Sequence, residues 1–218
     1  MRSRRIGILI IVIISIVLCS GLPKVFGAII ISDGQTHNID YAIDDSLWID
    51  YEAPGVHTTV NMLDGSSIEY WLEPYGDSRL NIIGSYSGRA GLRAFDRSQV
   101  EIYAGWMGDY LQAWDNTRIN MSGGTLLNEL VSDDSAVLTI HGSNFAVDGQ
   151  PFGYGELTSL LGGYSYDEPV RHLTGTLANG ESIDNDFYIG KNASIVLIPE
   201  PATLLLLGLG AVMVRKRR

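Results

Sequence analysis

The chain has 218 residues, of which 25 are acidic and 15 are basic, and its single cysteine is Cys19. Because most basic residues lie at the two ends, residues 28–198 carry seven Lys and Arg against twenty-four Asp and Glu, a net charge near −17. This charge disfavours nucleic acid and anionic lipid surfaces as partners. Residues 28–198 contain no cysteine, so burial and backbone pairing, not disulfides, must stabilise the one domain that this length predicts.

The first 27 residues have the composition of a secretory signal peptide. Arg2, Arg4 and Arg5 precede an apolar run over residues 6–18, which is followed by small and turn-forming residues. We expect cleavage before Ala28, with an uncleaved signal anchor as the alternative. A lipoprotein signal ending at Cys19 is disfavoured because Leu18 occupies a position where such signals carry a small residue.

Residues 28–59 contain short apolar stretches that alternate with polar residues, at 39–43 and 47–51, separated by Asp, Ser, Pro and Gly. This alternation predicts short strands, which we interpret as an N-terminal cap.

Residues 60–145 contain a repeat of about 19 residues. Two apolar columns define it, with spacings of 19 or 20: Val60/Met62, Leu80/Ile82, Val100/Ile102, Ile119/Met121 and Leu138/Ile140 in the first, and Leu72, Leu92, Leu111 and Leu130 in the second. A fixed period of this kind is typical of a solenoid, whose units bury their apolar faces only by stacking on one another.

The repeat is too short for helical units, and its apolar residues are paired two apart, as in a strand. We therefore predict an all-β parallel β-helix with coils of about 19 residues. A β-sandwich or jelly roll, which is also built of short strands, is the alternative.

Residues 146–198 lose the period and contain three further strand-like stretches, at 173–177, 187–189 and 195–198. Asn179-Gly180 and Asn185-Asp186 are predicted as turns between them. Because a solenoid needs covered ends, we interpret this region as a C-terminal cap.

Residues 199–218 have three parts in a fixed order. Pro199, Glu200 and Pro201 come first, an uncharged apolar run over 202–214 follows, and Arg215, Lys216, Arg217 and Arg218 end the chain. Thirteen helical residues rise only about 20 Å, so the run is short for a bilayer of roughly 30 Å. The terminal cations nevertheless favour a membrane helix with a cytoplasmic basic stop over a buried core helix.

This order resembles the PEP-CTERM sorting signal, whose proteins are exosortase substrates. Residues 142–149, 173–177 and 192–197 also resemble a recurrent exported β-helix type found among PEP-CTERM proteins, which has no established enzyme activity. The resemblance implies a Gram-negative host that makes extracellular polysaccharide. It also implies transient anchoring in the inner membrane, recognition of Pro199, Glu200 and Pro201 by an exosortase that cuts near them, and delivery to the cell surface or extracellular matrix.

No catalytic or cofactor-binding motif is predicted. His37, His57, His141 and His172 lack metal-ligand spacing, and no G-x-S-x-G surrounds a serine. Ser66, Ser78, Ser98 and Ser135 are predicted to form hydrogen bonds in turns. One acidic column with a 19-residue period, formed by Asp77, Asp96, Asp115 and Asp134, is predicted to cap turns; a weak cation site is the alternative.

Two further functions are alternatives to an inert structural role. Trp48, Trp71, Trp106 and Trp114 could stack on sugars, which would make the protein a carbohydrate-binding or adhesive module with extracellular polysaccharide as its partner. A polysaccharide-active enzyme is less favoured, because the coils are too short to carry catalytic loops. We therefore expect an exported, non-enzymatic surface or matrix protein without cofactors.

Overall fold

The computed structural model describes residues 27–84, 86–89, 91–157 and 171–200. These residues form 22 β-strands and no α-helix, arranged as a solenoid of about six turns. The predicted signal peptide, except Gly27, and the predicted membrane helix lie outside the described residues. Within the described part of the chain, no helix has the length and apolarity needed to cross a membrane.

The first apolar column lies on one parallel ladder of strands. Its members are β2 (Thr36–Ile39), β5 (Thr59–Met62), β8 (Arg79–Ile82), β11 (Gln99–Ile102), β14 (Arg118–Met121), β17 (Val137–Val147) and β22 (Ser194–Pro199). Val100 pairs with Leu80 on one side and Ile119 on the other, and all three are fully buried. We call this ladder the first sheet; its alternate residues point outward, as the strand period of two requires.

Two more parallel ladders complete each coil. One contains β1 (Ala28–Ile31), β4 (Ser46–Ile49), β7 (Trp71–Pro74), β10 (Gly91–Ala94), β13 (Tyr110–Ala113), β16 (Leu130–Ser132) and β21 (Ser182–Ile189). The other contains the two-residue strands β3 (Ala42–Ile43), β6 (Ser67–Ile68), β9 (Ser87–Gly88), β12 (Trp106–Met107) and β15 (Thr125–Leu126).

The core is the interior of this three-sided stack. Leu92, Leu111 and Leu130 of the second column pair in register and are fully buried, as the period predicts. The parallel pairing of successive coils confirms the solenoid and excludes the sandwich alternative, whose sheets would be antiparallel.

Residues 28–59, which we interpreted as cap strands, take part in the stacking themselves. β1 pairs in parallel with β4, β2 with β5 and β3 with β6. Among the described residues, the regular ladders therefore begin at Ala28, the residue that would become the N-terminus after the predicted cleavage.

The C-terminal region closes the stack with antiparallel strands. β17 extends beyond its coil and pairs with β18 (Gln150–Pro151) and β20 (Arg171–Leu177), while β19 (Gly155–Glu156) pairs with β22. β20 and β21 form an antiparallel hairpin, after which β21 and β22 return to the parallel ladders.

The predicted turns of this region are half correct. Asn179-Gly180 is the turn of the β20–β21 hairpin, but Asn185 and Asp186 lie inside β21. Asn185 is buried, and its Nδ2 donates to the carbonyls of Leu126 (2.9 Å) and Asn128 (2.6 Å), so a residue type typical of turns here connects the hairpin to a coil.

Gly142 lies within β17 and not in a turn. A Cβ at this position would come within 2.1 Å of the Thr176 carbonyl oxygen. The close approach of β20, and not a turn, therefore requires glycine here.

Candidate functional site

The predicted sorting residues begin inside the fold. β22 ends at Pro199, which pairs with Gly142 of β17, and Leu197 two residues earlier is fully buried. Glu200 follows the strand directly, while Pro201 and residues 202–218, including the basic stop, lie outside the described residues. The sorting residues are thus attached to the last strand without a spacer.

The structure divides the acidic column. Asp96, Asp115 and Asp134 stack in consecutive coils with positive φ angles of 61°, 58° and 60°. The backbone N–H of Asp96 donates to Asp115 Oδ2 (3.0 Å), and that of Asp115 donates to Asp134 Oδ2 (3.4 Å). Each carboxylate thus satisfies a backbone donor of the preceding coil at a left-handed turn position that Asp tolerates.

Asp77 does not belong to this column. The position below Asp96 is Gly76, whose N–H donates to Asp96 Oδ2 (2.8 Å). Asp77 aligns instead with Arg97, which donates to both its carboxylate oxygens at 2.7 Å, and this hydrogen-bonded guanidinium lowers the pKa of Asp77. At the other end, Lys191 forms an ion pair with Asp134 and lowers the pKa of that carboxyl.

The geometry of Asp96, Asp115 and Asp134 fits turn capping, and the cation alternative stays a prediction. Among the described residues, no group of three His, Cys, Asp or Glu is arranged to hold a metal ion.

Aromatic rings on successive coils form a row on the outside of the stack, which we call the aromatic row: Trp48, Tyr51, Tyr75 and Phe95. The Tyr75 and Phe95 rings stack with centroids 4.9 Å apart and planes at 10°, and Trp48 lies 4.7 Å from Tyr51. Tyr75 also packs edge-to-face with Trp48 and Tyr51 of the preceding coil, so the row joins successive coils.

Trp71 is also covered, although it lies outside the aromatic row. The Arg93 guanidinium lies 3.4 Å above the Trp71 ring and 3.8 Å from Glu73, whose other oxygen accepts a hydrogen bond from Tyr75 (2.9 Å). Burial raises the pKa of Glu73, while the hydrogen bond from Tyr75 and the charge of Arg93 oppose that rise. This arrangement is an internal network, and its groups are engaged with each other.

His172 is the histidine with the most charged surroundings. Its Nδ1 lies 2.7 Å from Asp186 and its Nε2 lies 2.6 Å from Asp184, so carboxylates engage both ring nitrogens. The hydrogen bond to Asp186 is the main cause of a raised His172 pKa. An imidazole held in this way favours its charged form and is poorly suited to act as a base or a metal ligand.

The predicted serine hydrogen bonds are only partly present. Ser66 donates to the carbonyl of Leu63 (2.7 Å), as expected for a turn. Ser78 and Ser98 instead point into the stack, fully buried, and their hydroxyls have no hydrogen-bond partner among the described residues. The side chains of these serines and of Thr117 line the interior, while only their backbone N–H groups bond within turns.

Sequence reasoning missed a groove on the outer face of the first sheet, which we call the hairpin groove. It has a volume of about 480 Å³ and is lined by Glu101, Tyr103, Asn120, Ser122, His141, Ala178 and Asn179. The first five project outward from β11, β14 and β17 or the residues just after them, and the last two belong to the tip of the β20–β21 hairpin.

The hairpin tip is fixed against the coils by several hydrogen bonds. The N–H groups of Ala178 and Asn179 donate to the carbonyls of His141 (2.9 Å) and Ser122 (3.0 Å). Glu181 accepts from the N–H of Gly124 and from Asn179 Nδ2. One wall of the hairpin groove is therefore held rigidly in place.

The chain joins an all-β solenoid to a C-terminal sequence that consists of Pro-Glu-Pro, an apolar run and a basic end. Residues 197–218 match the PEP-CTERM protein-sorting motif. That match identifies the tail as a sorting signal and points to exosortase-dependent sorting of an exported protein. No curated protein matches the chain, and no solved structure matches it.

Proposed function

We propose that this protein is an exported, non-enzymatic component of the cell surface or extracellular matrix, sorted and cut at its C-terminus by an exosortase. The match of residues 197–218 to the sorting motif carries the proposal. In it, residues 1–27 direct export, the apolar run holds the precursor in the inner membrane, and the processed solenoid is then released to the surface.

The non-enzymatic part rests on how the charged groups are used. Asp115 accepts a backbone N–H of the preceding coil, Asp77 pairs with Arg97, and His172 is held between two carboxylates. A general acid or base needs a titratable group within reach of substrate, whereas these groups are engaged with the fold itself.

The fold constrains where the chain is cut. Leu197 is fully buried against the core and pairs with Ile140 of β17, so a cut before Leu197 would remove the second half of β22, which the last coil needs. We therefore expect the scissile bond to follow Pro199, which leaves β22 intact.

Intact-mass measurement of the surface form tests both statements. The expected mature chain starts at Ala28 and ends after Pro199, and a surface form that retains residues 202–218 would overturn the proposal. Replacing Pro199, Glu200 and Pro201 with alanine should leave the uncut precursor in the inner membrane.

A matched control separates sorting from folding. Val196→Ala alters the same strand one residue before the matched segment, at a half-exposed outward position, and should be processed normally. Glu200→Gln lies beyond the strand and should impair processing without changing the stability of the solenoid.

A further inference from the structure

We propose that the hairpin groove is a binding site for a neutral, hydroxyl-rich polysaccharide. This inference goes beyond the proposed function, which concerns export and processing alone and would survive if the groove bound nothing.

Polar groups in the hairpin groove have hydrogen-bonding capacity left over. Asn120 Nδ2 donates to Glu101 Oε1 (2.8 Å), an inter-coil contact on the outer face of the first sheet. An amide has two N–H groups and one oxygen, and a carboxylate has two oxygens, so this contact uses only part of their capacity. Within the described residues, Glu101 Oε2 and Asn120 Oδ1 make no other hydrogen bond, and both suit sugar hydroxyls.

Tyr103 supplies the apolar surface that a sugar ring requires. It projects beside Glu101 with 49% of its surface exposed, and its ring has no aromatic or cationic partner among the described residues. This differs from the aromatic row, whose rings pack against one another, and from Trp71, which Arg93 covers. An open aromatic face beside hydroxyl-binding groups favours carbohydrate.

Charge narrows the choice of ligand. The described lining contains Glu101 but neither Lys nor Arg, and residues 28–198 carry a net charge near −17. Anionic polysaccharides and nucleic acids would be repelled. A peptide that adds a strand is also disfavoured, because the groove lies on a sheet face whose backbone groups are already paired with neighbouring coils.

The surface next to the groove favours a polymer over a single sugar. Along the first sheet, Asn81 Nδ2 donates to Asn61 Oδ1 (2.8 Å) and Asn61 Nδ2 donates to Asn38 Oδ1 (2.7 Å). This amide row continues the line of Glu101 and Asn120, and Ile83, 49% exposed, continues the line of Tyr103. A chain lying along the stack would meet the same pair of rows in successive coils.

Affinity electrophoresis of the processed surface form tests this site. Native gels would contain a soluble neutral glucan, mannan or galactan, or alginate as the anionic comparison. We expect retardation by at least one neutral polymer and none by alginate. Tyr103→Ala should weaken the apparent affinity up to about tenfold, in line with the loss of one aromatic contact, whereas Tyr103→Phe should retain it.

Tyr41→Ala is the matched control, since this tyrosine is 56% exposed and lies in the first coil, away from the hairpin groove. It should bind like the wild type, and both alanine variants should unfold at the wild-type temperature. The proposal is overturned if no neutral polymer retards the protein, if alginate alone does, or if Tyr103→Ala and Tyr41→Ala behave alike.

Discussion

The coils of this protein differ from its closing segment, the strands β17 to β22, in strand length and in the direction of pairing. Coil strands have two to four residues and pair in parallel with equivalent residues 18 to 25 positions away. In the closing segment, β17 has 11 residues, β20 has 7 and β21 has 8, and their new pairings are antiparallel.

Their polar contacts differ in the same way. In the coils, Arg97 pairs with Asp77 and Arg89 with Glu69, each across 20 residues, so ion pairs repeat the coil spacing. In the closing segment, Arg171 pairs with Asp148 and His172 with Asp184 and Asp186, which follow the registers of antiparallel pairs. Each coil is therefore stabilised by contacts between equivalent positions that recur from coil to coil, whereas the closing segment depends on contacts that occur once.

The largest expected effect tests the buried column of the coils. Leu111→Ala should lower the free energy of unfolding by roughly 2 to 5 kcal/mol, because Leu111 is fully buried between Leu92 and Leu130. Gln112, the next residue, faces outward, and Gln112→Ala should change stability by no more than about 0.5 kcal/mol. Chemical denaturation measures both, and equal small effects would mean that the column does not form a core.

Removing the hydroxyl groups of two tyrosines should change the free energy of unfolding by smaller amounts and in opposite directions. Tyr86 is buried, and its hydroxyl has no hydrogen-bond partner in the described part of the chain, so Tyr86→Phe should stabilise the protein by about 1 kcal/mol. Tyr75→Phe removes the hydrogen bond to the buried Glu73 and should destabilise it by about 1 kcal/mol. Thermal and urea unfolding compare the pair, and shifts of the same sign would contradict the assignment.

The smallest expected effect is a pH-dependent contribution of His172, in the closing segment, to the free energy of unfolding. Carboxylates raise the pKa of His172 above its ordinary value of 6.5, so its stabilising contribution is complete below about pH 6.5 and is lost as the pH rises through the raised value. The side chain is 41% exposed, which limits the contribution to less than about 1 kcal/mol.

Denaturation of the wild type and His172→Gln between pH 5 and 9 measures that contribution. The stability difference should shrink as the pH rises, and Asp186→Asn should remove most of the slope because Asp186 is the main cause of the shift. A difference that grows with pH would refute the assignment.

The sequence predicted the coils well because burial repeats. Val100 and Leu111 occupy strand positions that face inward in every coil, so apolar residues recur there at a fixed spacing. That period is enough to identify the buried residues. Asp77 was misplaced because it stands 19 residues before Asp96, whereas the coil between Leu72 and Leu92 has 20. The buried leucines define the register, and an exposed carboxylate does not.

The hairpin groove could not be predicted in this way. It forms where the tip of the β20–β21 hairpin meets coils whose residues lie 37 to 76 positions earlier, as in the contacts of Asn179 and Ala178 with Tyr103 and His141. No period relates these residues. Asn61, Asn81 and Asn120 occur at nearly periodic positions in the sequence, but no sequence pattern indicates that a hairpin lies beside them.

The attachment of the tail to β22 has a mechanical consequence. In the anchored precursor that we propose, a pull on the solenoid passes through Pro199 into a strand that lies parallel to β17 along Ser194–Pro199 and antiparallel to β19 at Leu197 and Val196. A pull along the strand loads these hydrogen bonds together in shear instead of breaking them one after another. The last coil should therefore resist tension applied at the sorting residues.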